Sequence, residues 1–158
     1  MKGMTVMDNN IIIRVMEIAD YEGVYELWTS IKGFGLRTVD DSKEGVEKFL
    51  KRNPTTSVVA VENGQIVGAI LGGHDGRRGC LYHVCVREDH RKLGIGKKMT
   101  AVVLEALKNE GICKCSLIAF KSNTVGNAFW KKVGWLFRDD LNYYDFTINE
   151  KNLTEFVK

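Results

Sequence analysis

The apolar residues of the first fifty positions follow one strand period and two helical periods. Residues 11–15 form a short apolar run that is typical of a strand. Asp20 then precedes apolar positions at helical spacing, which predicts a helix that Gly33 and Gly35 end. A second helix is predicted over residues 42–51, before Asn53-Pro54. The apolar faces of these two helices are Tyr21, Val24, Tyr25, Trp28 and Ile31 in the first, and Val46, Phe49 and Leu50 in the second.

The next part of the chain carries a hairpin signal. Residues 57–61 and 66–73 are apolar runs of strand length, and they flank Asn63-Gly64. Both turn residues tolerate positive φ, which the tight turns of hairpins require. The pattern therefore predicts two antiparallel strands joined at this dipeptide.

A strand, a helix and a second strand follow in that order. Residues 79–86 and 113–120 are predicted strands, and the segment between them has apolar residues at helical spacing. Because a helix separates the two strands, we expect them to pair in parallel through a crossover connection. The apolar positions of this helix are Met99, Val102, Val103, Ala106 and Leu107, and Gly111 is expected to end it.

The last part of the chain is predicted to hold one helix and two closing strands. The helix covers residues 124–132, and the strands cover 135–137 and 142–147. The resulting element order, β, α, α, β, β, β, α, β, α, β, β, predicts an α+β fold with a mixed sheet. We expect residues 1–158 to form a single domain, with residues 1–10 as a flexible N-terminal extension.

Composition restricts the classes of partner and compartment. The chain has 158 residues, of which 44% are hydrophobic and 27% charged, values that fit one globular domain. A net charge of +3 is too small to indicate nucleic-acid binding, so no such partner is expected. The longest apolar runs have strand length, which predicts a cytoplasmic protein without a membrane span. The spacing of Cys80, Cys85, Cys113 and Cys115 does not suit a zinc site, and buried free thiols with no metal are predicted.

The segment Arg91–Gly96, which we call the glycine loop, lies between a predicted strand and a predicted helix. Gly94 and Gly96 let backbone amides approach a ligand, and the helix start adds free N–H groups. Lys97 and Lys98 add positive charge. These features predict a phosphate site, but Arg91 stands where a Walker loop needs its first glycine, and Met99 where a dinucleotide loop needs its third.

The motif that remains, Arg-x-x-Gly-x-Gly after a central strand, resembles the signature of the GNAT superfamily of acetyl-CoA-dependent N-acetyltransferases. A second block, Ser122–Trp135, is similar to the family's Asn-x-x-Ala-x-x-Leu-Tyr-x-x-x-Gly-Phe segment, and Gly72–Gly79 resembles a loop of the small YpeA-like bacterial members. The resemblance implies a GNAT fold with a mixed central sheet of six to seven strands. About four helices would cover both faces, and the central strand and the following parallel strand would splay apart.

The resemblance also implies where acetyl-CoA, the cosubstrate, binds. Pantetheine would lie between the splayed strands and pair with the backbone near Val84 and Val86, and the glycine loop would hold the pyrophosphate. Asn123 would contact the cofactor beyond the thioester. The expected cofactor-binding residues are Val84, Val86, Arg91, Lys92, Leu93, Gly94, Ile95, Gly96, Lys97, Asn123 and Trp130.

The expected reaction is direct attack of an amine on the thioester in a ternary complex. A backbone N–H near Cys85 or Val86 would stabilise the oxygen of the tetrahedral intermediate. The family's tyrosine acid is replaced here by Trp130, whose indole releases no proton at neutral pH. The expected catalytic residues are Cys85, His83, Tyr143 and Tyr144; other candidates by chemistry are Tyr82 for the acid, and His74, Glu62 and Asp75 for the base.

Structural interpretations stand beside these functional ones. Strand alternation places His83 and Cys85 on one face and Tyr82, Val84 and Val86 on the other, so that His83 is also readable as a packing residue. Trp130 suits a core position, and the acidic residues near the first two helices suit an exposed surface. These acidic residues are Glu22, Glu26, Asp40 and Asp41.

The acceptor and the assembly stay open at this point. Small amines, aminoglycoside-like molecules and peptide or protein amines all fit, and exposed edge strands near Tyr143 are compatible with a homodimer. An acyl-CoA-binding regulatory module without turnover is the alternative function that the replacement at Trp130 suggests. A nucleotide phosphotransferase is a weaker alternative, since the chain has no Walker lysine-serine pair.

Overall fold

A six-stranded sheet organises the fold, which a computed structural model describes over residues 5–7 and 10–158. The strands in chain order are β1 (Thr5–Val6), β2 (Ile12–Val15), β3 (Gly35–Arg37), β4 (Val58–Glu62), β5 (Gln65–His74), β6 (Gly79–Val86), β7 (Cys115–Leu117) and β8 (Thr154–Phe156). The helices are α1 (Tyr21–Ser30), α2 (Lys43–Arg52), α3 (Ile95–Asn109) and α4 (Thr124–Lys132), and short 3-10 turns lie at Ile18–Asp20 and Glu88–His90.

The sheet is mixed, as the sequence predicts. Its strand order is β1-β2-β4-β5-β6-β7, and every neighbouring pair is antiparallel except β6 and β7. The parallel pair confirms the crossover through α3. The turn between β4 and β5 confirms the hairpin, because Asn63 and Gly64 have φ values of +48° and +79°.

Helices pack against both faces of the sheet and create two cores. The α3 core consists of Ile11, Ile13, Val58, Ala60, Val67, Ile70, Leu81, Ile95, Met99, Val103, Leu107 and Ile112. The α1 core, which includes residues of α1 and α2, consists of Met16, Tyr21, Val24, Leu27, Trp28, Ile31, Val46, Leu50, Val59, Ala69, Leu71 and Cys85. This arrangement confirms the expected layers of the GNAT fold.

Strand β6 contains a β-bulge that changes which face its side chains occupy. Tyr82 pairs with Leu71 and Cys85 pairs with Ala69, so that β6 has one residue more than β5 between these pairs. His83 lies in the bulge with a φ of +49°, a left-handed conformation that is uncommon outside glycine. The bulge is the local feature that positions the site described below.

The β6 and β7 strands pair over a short distance only. Their ladder runs from Gly79 and Cys115 to Leu81 and Leu117, and β6 continues beyond it to Val86. The predicted strand 113–120 is therefore shorter than expected. The end of the ladder confirms the expected splay, since it leaves one edge of β6 open between Tyr82 and Val86.

The two closing strands predicted near the C-terminus are wrong. Residues 135–137 and 142–147 form no strand, and β8 instead pairs with β3 in a separate two-stranded sheet. An alternating pattern makes a strand possible, but a strand forms only where a partner offers its backbone groups. Trp135 packs on Trp130 with ring centroids 4.9 Å apart, which fixes the start of this segment by side-chain contact.

Three further expectations can be compared with the structure. Within the expected flexible extension, Thr5–Val6 pairs with β2, and residues 1–4 and 8–9 lie outside the described residues. The expectation of buried thiols is correct for Cys85 and wrong for Cys113, which is exposed; all four cysteines are free. Within the described ranges, no helix has the length and apolar character needed to cross a membrane.

Candidate functional site

The glycine loop presents backbone N–H groups at the start of α3. Lys92 and Gly94 have φ values of +65° and +81°, and Gly94 is the residue directly before the helix. The first helical hydrogen bond runs from the Lys98 N–H to the Gly94 carbonyl oxygen at 3.0 Å. No side chain from residues 5–7 or 10–158 caps this end, so the N–H groups of the first turn are oriented toward a ligand position.

The two glycines of the loop are required for different reasons. Gly94 adopts a left-handed conformation that a side chain would strain. Gly96 allows close packing, because a Cβ atom there would lie 3.3 Å from Cζ of Phe129 on α4, a tight contact that requires the phenyl ring to shift. The sequence predicts a role in ligand binding for both glycines. The structure shows that Gly96 also contributes to the packing of α4 on α3.

The loop lies next to the open edge of β6. The Arg91 side chain is partly exposed, and its Nε donates to the Val86 carbonyl oxygen at 3.3 Å. Lys92, Leu93 and Lys97 are exposed, whereas Ile95 is buried in the α3 core. The structure therefore brings the basic loop and the end of the central strand together.

Backbone direction distinguishes Val86 from Cys85. The N–H of Arg87 donates to Val67 on the β5 side at 2.8 Å. Since backbone groups of successive strand residues point to opposite edges, Cys85 faces β5 and Val86 faces the open edge. The Cys85 thiol is buried in the α1 core, and burial raises its pKa to about 12, so it stays protonated.

His83 and Asp41 form a pair at the bulge. His83 Nε2 lies 2.8 Å from Asp41 Oδ1, and the two side chains are 14% and 6% exposed. The Asp41 backbone is fixed as well, because its carbonyl oxygen accepts a hydrogen bond from the Tyr21 hydroxyl at 2.8 Å. The expectation that Asp41 is a surface residue is wrong, since the segment after β3 folds back over the sheet.

Aromatic rings surround this pair on the α1 side. The imidazole of His83 lies 4.9 Å from the rings of both Trp28 and Phe34, measured between centroids. Trp28 is fully buried, and its Nε1 is the one buried side-chain donor without a hydrogen-bond partner in the described part of the chain. The imidazole is therefore held in an apolar environment from which water is largely excluded.

Tyr82 also lies on this face, which strand alternation did not predict. Its ring packs edge-on against Phe49 of α2 at a centroid distance of 5.8 Å. The added residue of the bulge explains the correction, because it shifts Tyr82 to the same side as His83 and Cys85. Burial first, and then the neighbouring Cys80 side chain, raise the pKa of Tyr82 to about 12.

The two predicted tyrosine acids lie in the segment without secondary structure. Tyr143 and Tyr144 are 66% and 86% exposed. Tyr143 is close enough to Tyr82 to contribute to the rise in the pKa of that residue. The structure thus places Tyr143 near the face of β6 that carries His83.

The residues of the second family block have structural partners. The Asn123 side-chain oxygen accepts the Gly126 N–H at 2.9 Å and so begins α4. Trp130 packs against the α3 core and lies 4.9 Å from both Phe129 and Trp135. Trp130 is therefore half-buried at the margin of the α3 core, where its ring has a packing role.

The other base candidates have hydrogen-bond partners elsewhere. Glu62 accepts from His90 Nε2 at 2.8 Å, and Asp75 accepts the backbone N–H groups of the turn that follows it. His74 lies 3.9 Å from Glu110 at the other end of β5. His90 is a residue that the sequence gave no reason to select; Glu62 first, then Asp89, raise its pKa in the turn before the glycine loop.

A cleft of about 340 Å³ opens beside Asp41. Its lining includes Tyr21, Tyr25, Arg37, Asp41, Lys43 and Glu155. Charges of both signs surround it, and α1, β3 and β8 all contribute. Among the described residues, no group of three His, Cys, Asp or Glu side chains is arranged to hold a metal ion.

Comparisons with known proteins identify similar chains. The family model described as Acetyltransferase (GNAT) family matches residues 21–135. An acetyltransferase of Pectobacterium atrosepticum is 31% identical over 121 residues, which are 77% of this chain and 84% of that protein. One from Sodalis glossinidius is 30% identical over 82% of this chain and 89% of its own length. The PaiA N-acetyltransferase of Thermoplasma acidophilum, solved with coenzyme A, superposes with a TM-score of 0.69 at 18% identity, covering 91% of this chain and 96% of that one.

Proposed function

The chain belongs to the GNAT family of acetyltransferases, and on that premise we propose that it acetylates an amine by direct attack on acetyl-CoA in a ternary complex. The observation that carries this proposal is the position of the glycine loop beside the open edge of β6. The loop offers a place for a pyrophosphate, and the edge offers free backbone groups for an extended ligand. The two features adjoin at Val86.

The fit of coenzyme A to these residues is supported by their chemistry. Free N–H groups at the start of α3 and the cations of the loop suit a diphosphate. The backbone of Val84 and Val86 suits an amide-bearing chain that adds to the edge of β6. We assign to the cofactor site the residues Val84, Val86, Arg91, Lys92, Leu93, Gly94, Ile95, Gly96 and Lys97, with Asn123 and Trp130 on α4 at its margin.

The reaction needs one bond made and one broken. The amine nitrogen attacks the thioester carbonyl, the C–S bond breaks, the amine loses a proton and the thiolate gains one. The Val86 N–H, on the open edge, is suited to stabilise the oxygen of the tetrahedral intermediate. Cys85, which we expected as a source of the backbone N–H, does not supply it in this proposal, because its N–H faces β5; its thiol is buried.

His83 is the proton acceptor of this proposal, and Tyr143 is the proton donor to the thiolate. His83 lies on the central strand between Tyr82 and Val84, next to the proposed path of pantetheine. Tyr143 is near enough to Tyr82 to raise the pKa of that residue electrostatically. Tyr144 was predicted equally as a donor; as the more exposed neighbour, it provides the comparison Tyr144→Phe against Tyr143→Phe.

The acceptor in this proposal is a cationic amine that enters the cleft beside Asp41. Asp41 and Glu155 provide carboxylates that attract an ammonium group. Lys43 and Arg37 add positive charge on the same cleft, which suits an acceptor that also carries an acidic or polar group. A peptide or small amine of mixed charge meets both conditions.

A matched pair of glycine substitutions tests the cofactor site. Gly94 and Gly111 lie at opposite ends of α3, and both have left-handed φ values, +81° and +78°. Gly94→Glu places a carboxylate where the diphosphate would bind, and we expect it to weaken coenzyme A binding roughly 100-fold, equivalent to about 3 kcal/mol. Gly111→Glu carries the same strain and charge far from the loop, and calorimetry should show unchanged affinity.

Turnover is tested separately by thiol release. Wild-type protein with acetyl-CoA and a broad panel of amines should release coenzyme A above background with at least one amine. Tight binding of coenzyme A without release across the panel would support the regulatory module instead. Equal affinity in Gly94→Glu and wild type would move the diphosphate away from the glycine loop.

A further inference from the structure

We propose that Asp41 is a positioning residue that holds His83 in the tautomer able to take the proton from the acceptor amine. This inference rests on the proposed acetyl transfer and adds to it a partner for His83. Asp41 lies 42 positions before His83 in the chain, and the fold of the segment between β3 and α2 brings the two together. Asp41 lines the cleft, and His83 lies behind it at the bulge of β6, in contact with the Asp41 carboxylate.

Both oxygens of the Asp41 carboxylate have a defined partner. Oδ1 lies 2.8 Å from His83 Nε2, and Oδ2 accepts the backbone N–H of Arg37 at 2.6 Å. The Tyr21 hydroxyl binds the Asp41 carbonyl oxygen. The carboxylate is thus fixed from two sides, so its first oxygen can have only one orientation toward the imidazole.

This geometry selects a tautomer. An ionised carboxylate accepts but does not donate, and therefore His83 Nε2 must carry the proton of their hydrogen bond. The lone pair then lies on Nδ1, which has no hydrogen-bond partner within the described ranges of the chain. Nδ1 is the free acceptor of a largely buried imidazole, the arrangement that a general base requires.

The surroundings support a base more than a packing residue. Burying a carboxylate is costly, and a left-handed histidine adds backbone strain of about 1 kcal/mol or more. A neutral side chain at position 83 would fill the space between Trp28 and Phe34 without the cost of a buried carboxylate beside it. Both aromatic rings also stabilise a positive imidazolium, and the Asp41 charge does so further.

The charged and titratable groups around His83 come from several elements. Asp41 follows β3, Tyr82 neighbours His83 on β6, and Tyr21 lies on α1. Lys43 at the start of α2 and Glu155 of β8 line the cleft on its outer side. Of these groups, only the Asp41 carboxylate is hydrogen-bonded to the imidazole, so its removal should act on His83 directly.

The central variant is Asp41→Asn, which preserves shape. Its amide oxygen can still accept the Arg37 N–H, and its NH2 group is then directed at His83 Nε2. That hydrogen bond requires an unprotonated Nε2 and moves the proton to Nδ1, which blocks the base. His83→Asn removes the base and keeps a residue that tolerates positive φ. Asp40→Asn is the matched control, since Asp40 is exposed and contacts Asn152.

The measurements are kcat/KM for an amine accepted by the wild type, its pH profile and the Kd of coenzyme A. We expect Asp41→Asn and His83→Asn to lower kcat/KM roughly 100-fold or more, with an unchanged Kd for coenzyme A. Wild type should show an acidic limb, because a protonated imidazole accepts no proton. In His83→Asn the rate should instead rise continuously toward the pKa of the free amine, about 10. Asp40→Asn should behave as wild type.

Nitrogen-15 NMR of the wild type gives a test that needs no variant. We expect the His83 resonances to report a proton on Nε2 and a free Nδ1 at neutral pH. Wild-type rates and an unchanged pH profile in Asp41→Asn, or a proton on Nδ1 in wild type, would overturn the inference. Failure of the wild type to acetylate any amine would refute the proposed function, a result distinct from either of these.

Discussion

Two regions of this molecule differ in how their apolar residues are used. Every buried residue of the described chain lies between Ile11 and Ile112, a range that contains five strands and three helices. From Cys113 onward the structure has strands of three residues at most and one helix, and many of the large apolar side chains are exposed. These side chains are Ile118, Phe120, Val125, Leu136, Phe137, Leu141, Tyr143, Tyr144, Phe146, Ile148, Leu153 and Phe156. Alternating apolar residues are present in both regions, but only the first region supplies the packing surfaces that bury them fully.

The comparison also divides the proposed chemistry. The glycine loop, the edge of β6 and the pair of His83 and Asp41 belong to the well-packed region. The proposed proton donor, Tyr143, belongs to the exposed one. In this proposal, the core therefore holds the groups that bind coenzyme A and deprotonate the acceptor amine. The group that protonates the leaving thiolate depends on a segment with few contacts.

The largest expected difference between the two regions is in amide hydrogen exchange. Within the described residues, no backbone N–H of positions 136–148 donates to another backbone group, whereas β4 and β5 have a paired strand on each side. We expect exchange in the central strands to be slower by a factor of roughly 10⁴ or more, because it requires opening of the core. Strong protection over 136–148 would show that a partner surface covers this segment in solution.

The same substitution made once in each region compares the two regions by their free energy of unfolding. Ile70 is 0% and Ile148 is 94% exposed. Ile70→Ala should cost about 2–5 kcal/mol, since it removes buried contacts and leaves a cavity. Ile148→Ala should stay within about 0.5 kcal/mol. Urea titration of both variants measures these changes. A loss of unfolding free energy above about 1 kcal/mol in Ile148→Ala would show that this side chain makes stabilising contacts.

Much of the fold was predictable from the sequence, but the contrast between the two regions was not. The Asn63-Gly64 turn, the helix at 124–132 and the parallel crossover carry local signals that the structure confirms. The strands predicted at 135–137 and 142–147 failed because their pattern says nothing about a partner. The position of Tyr82 failed because a bulge leaves no mark in a hydrophobic pattern, and that of Asp41 because its burial depends on a residue 42 positions away.

Cysteine labelling compares the solvent accessibility of the two regions. Cys113 is exposed, whereas Cys85 is buried in the α1 core with its pKa raised to about 12 by burial. With iodoacetamide at neutral pH, Cys113 should be modified first and Cys85 last, because the reactive species is an accessible thiolate. Mass spectrometry over time checks the order. Early labelling of Cys85 would mean that the core opens at β6.

The smallest expected effect concerns ion pairs. In the packed region, Glu62 first and then Asp89 raise the pKa of His90 above its usual value of about 6.5. A raised pKa means that the protonated form is favoured in the folded state. Its contribution to stability is complete below pH 6.5 and disappears as the pH rises through the folded pKa. The Tm difference between wild type and His90→Gln should therefore shrink from pH 6 to pH 9.

The exposed pair of Arg138 and Asp140 supplies the counterpart. Its hydrogen bonds hold the pKa of Asp140 at about 2, yet both side chains face solvent. Solvent screening weakens such pairs, so Asp140→Asn should leave Tm unchanged across the same pH range. A pH-dependent change of Tm for this variant as large as that for His90→Gln would remove the distinction.

Because of the bulge, the number of residues in β6 decides which face of the sheet its side chains occupy. Between Leu81 and Cys85 the strand holds one residue more than a regular ladder would, and that residue brings Tyr82 and His83 to a common face. Point substitutions at these positions change one side chain each. A one-codon deletion would restore the regular ladder and turn the imidazole away from Asp41, so in this stretch gene deletions should be tolerated far less well than missense changes.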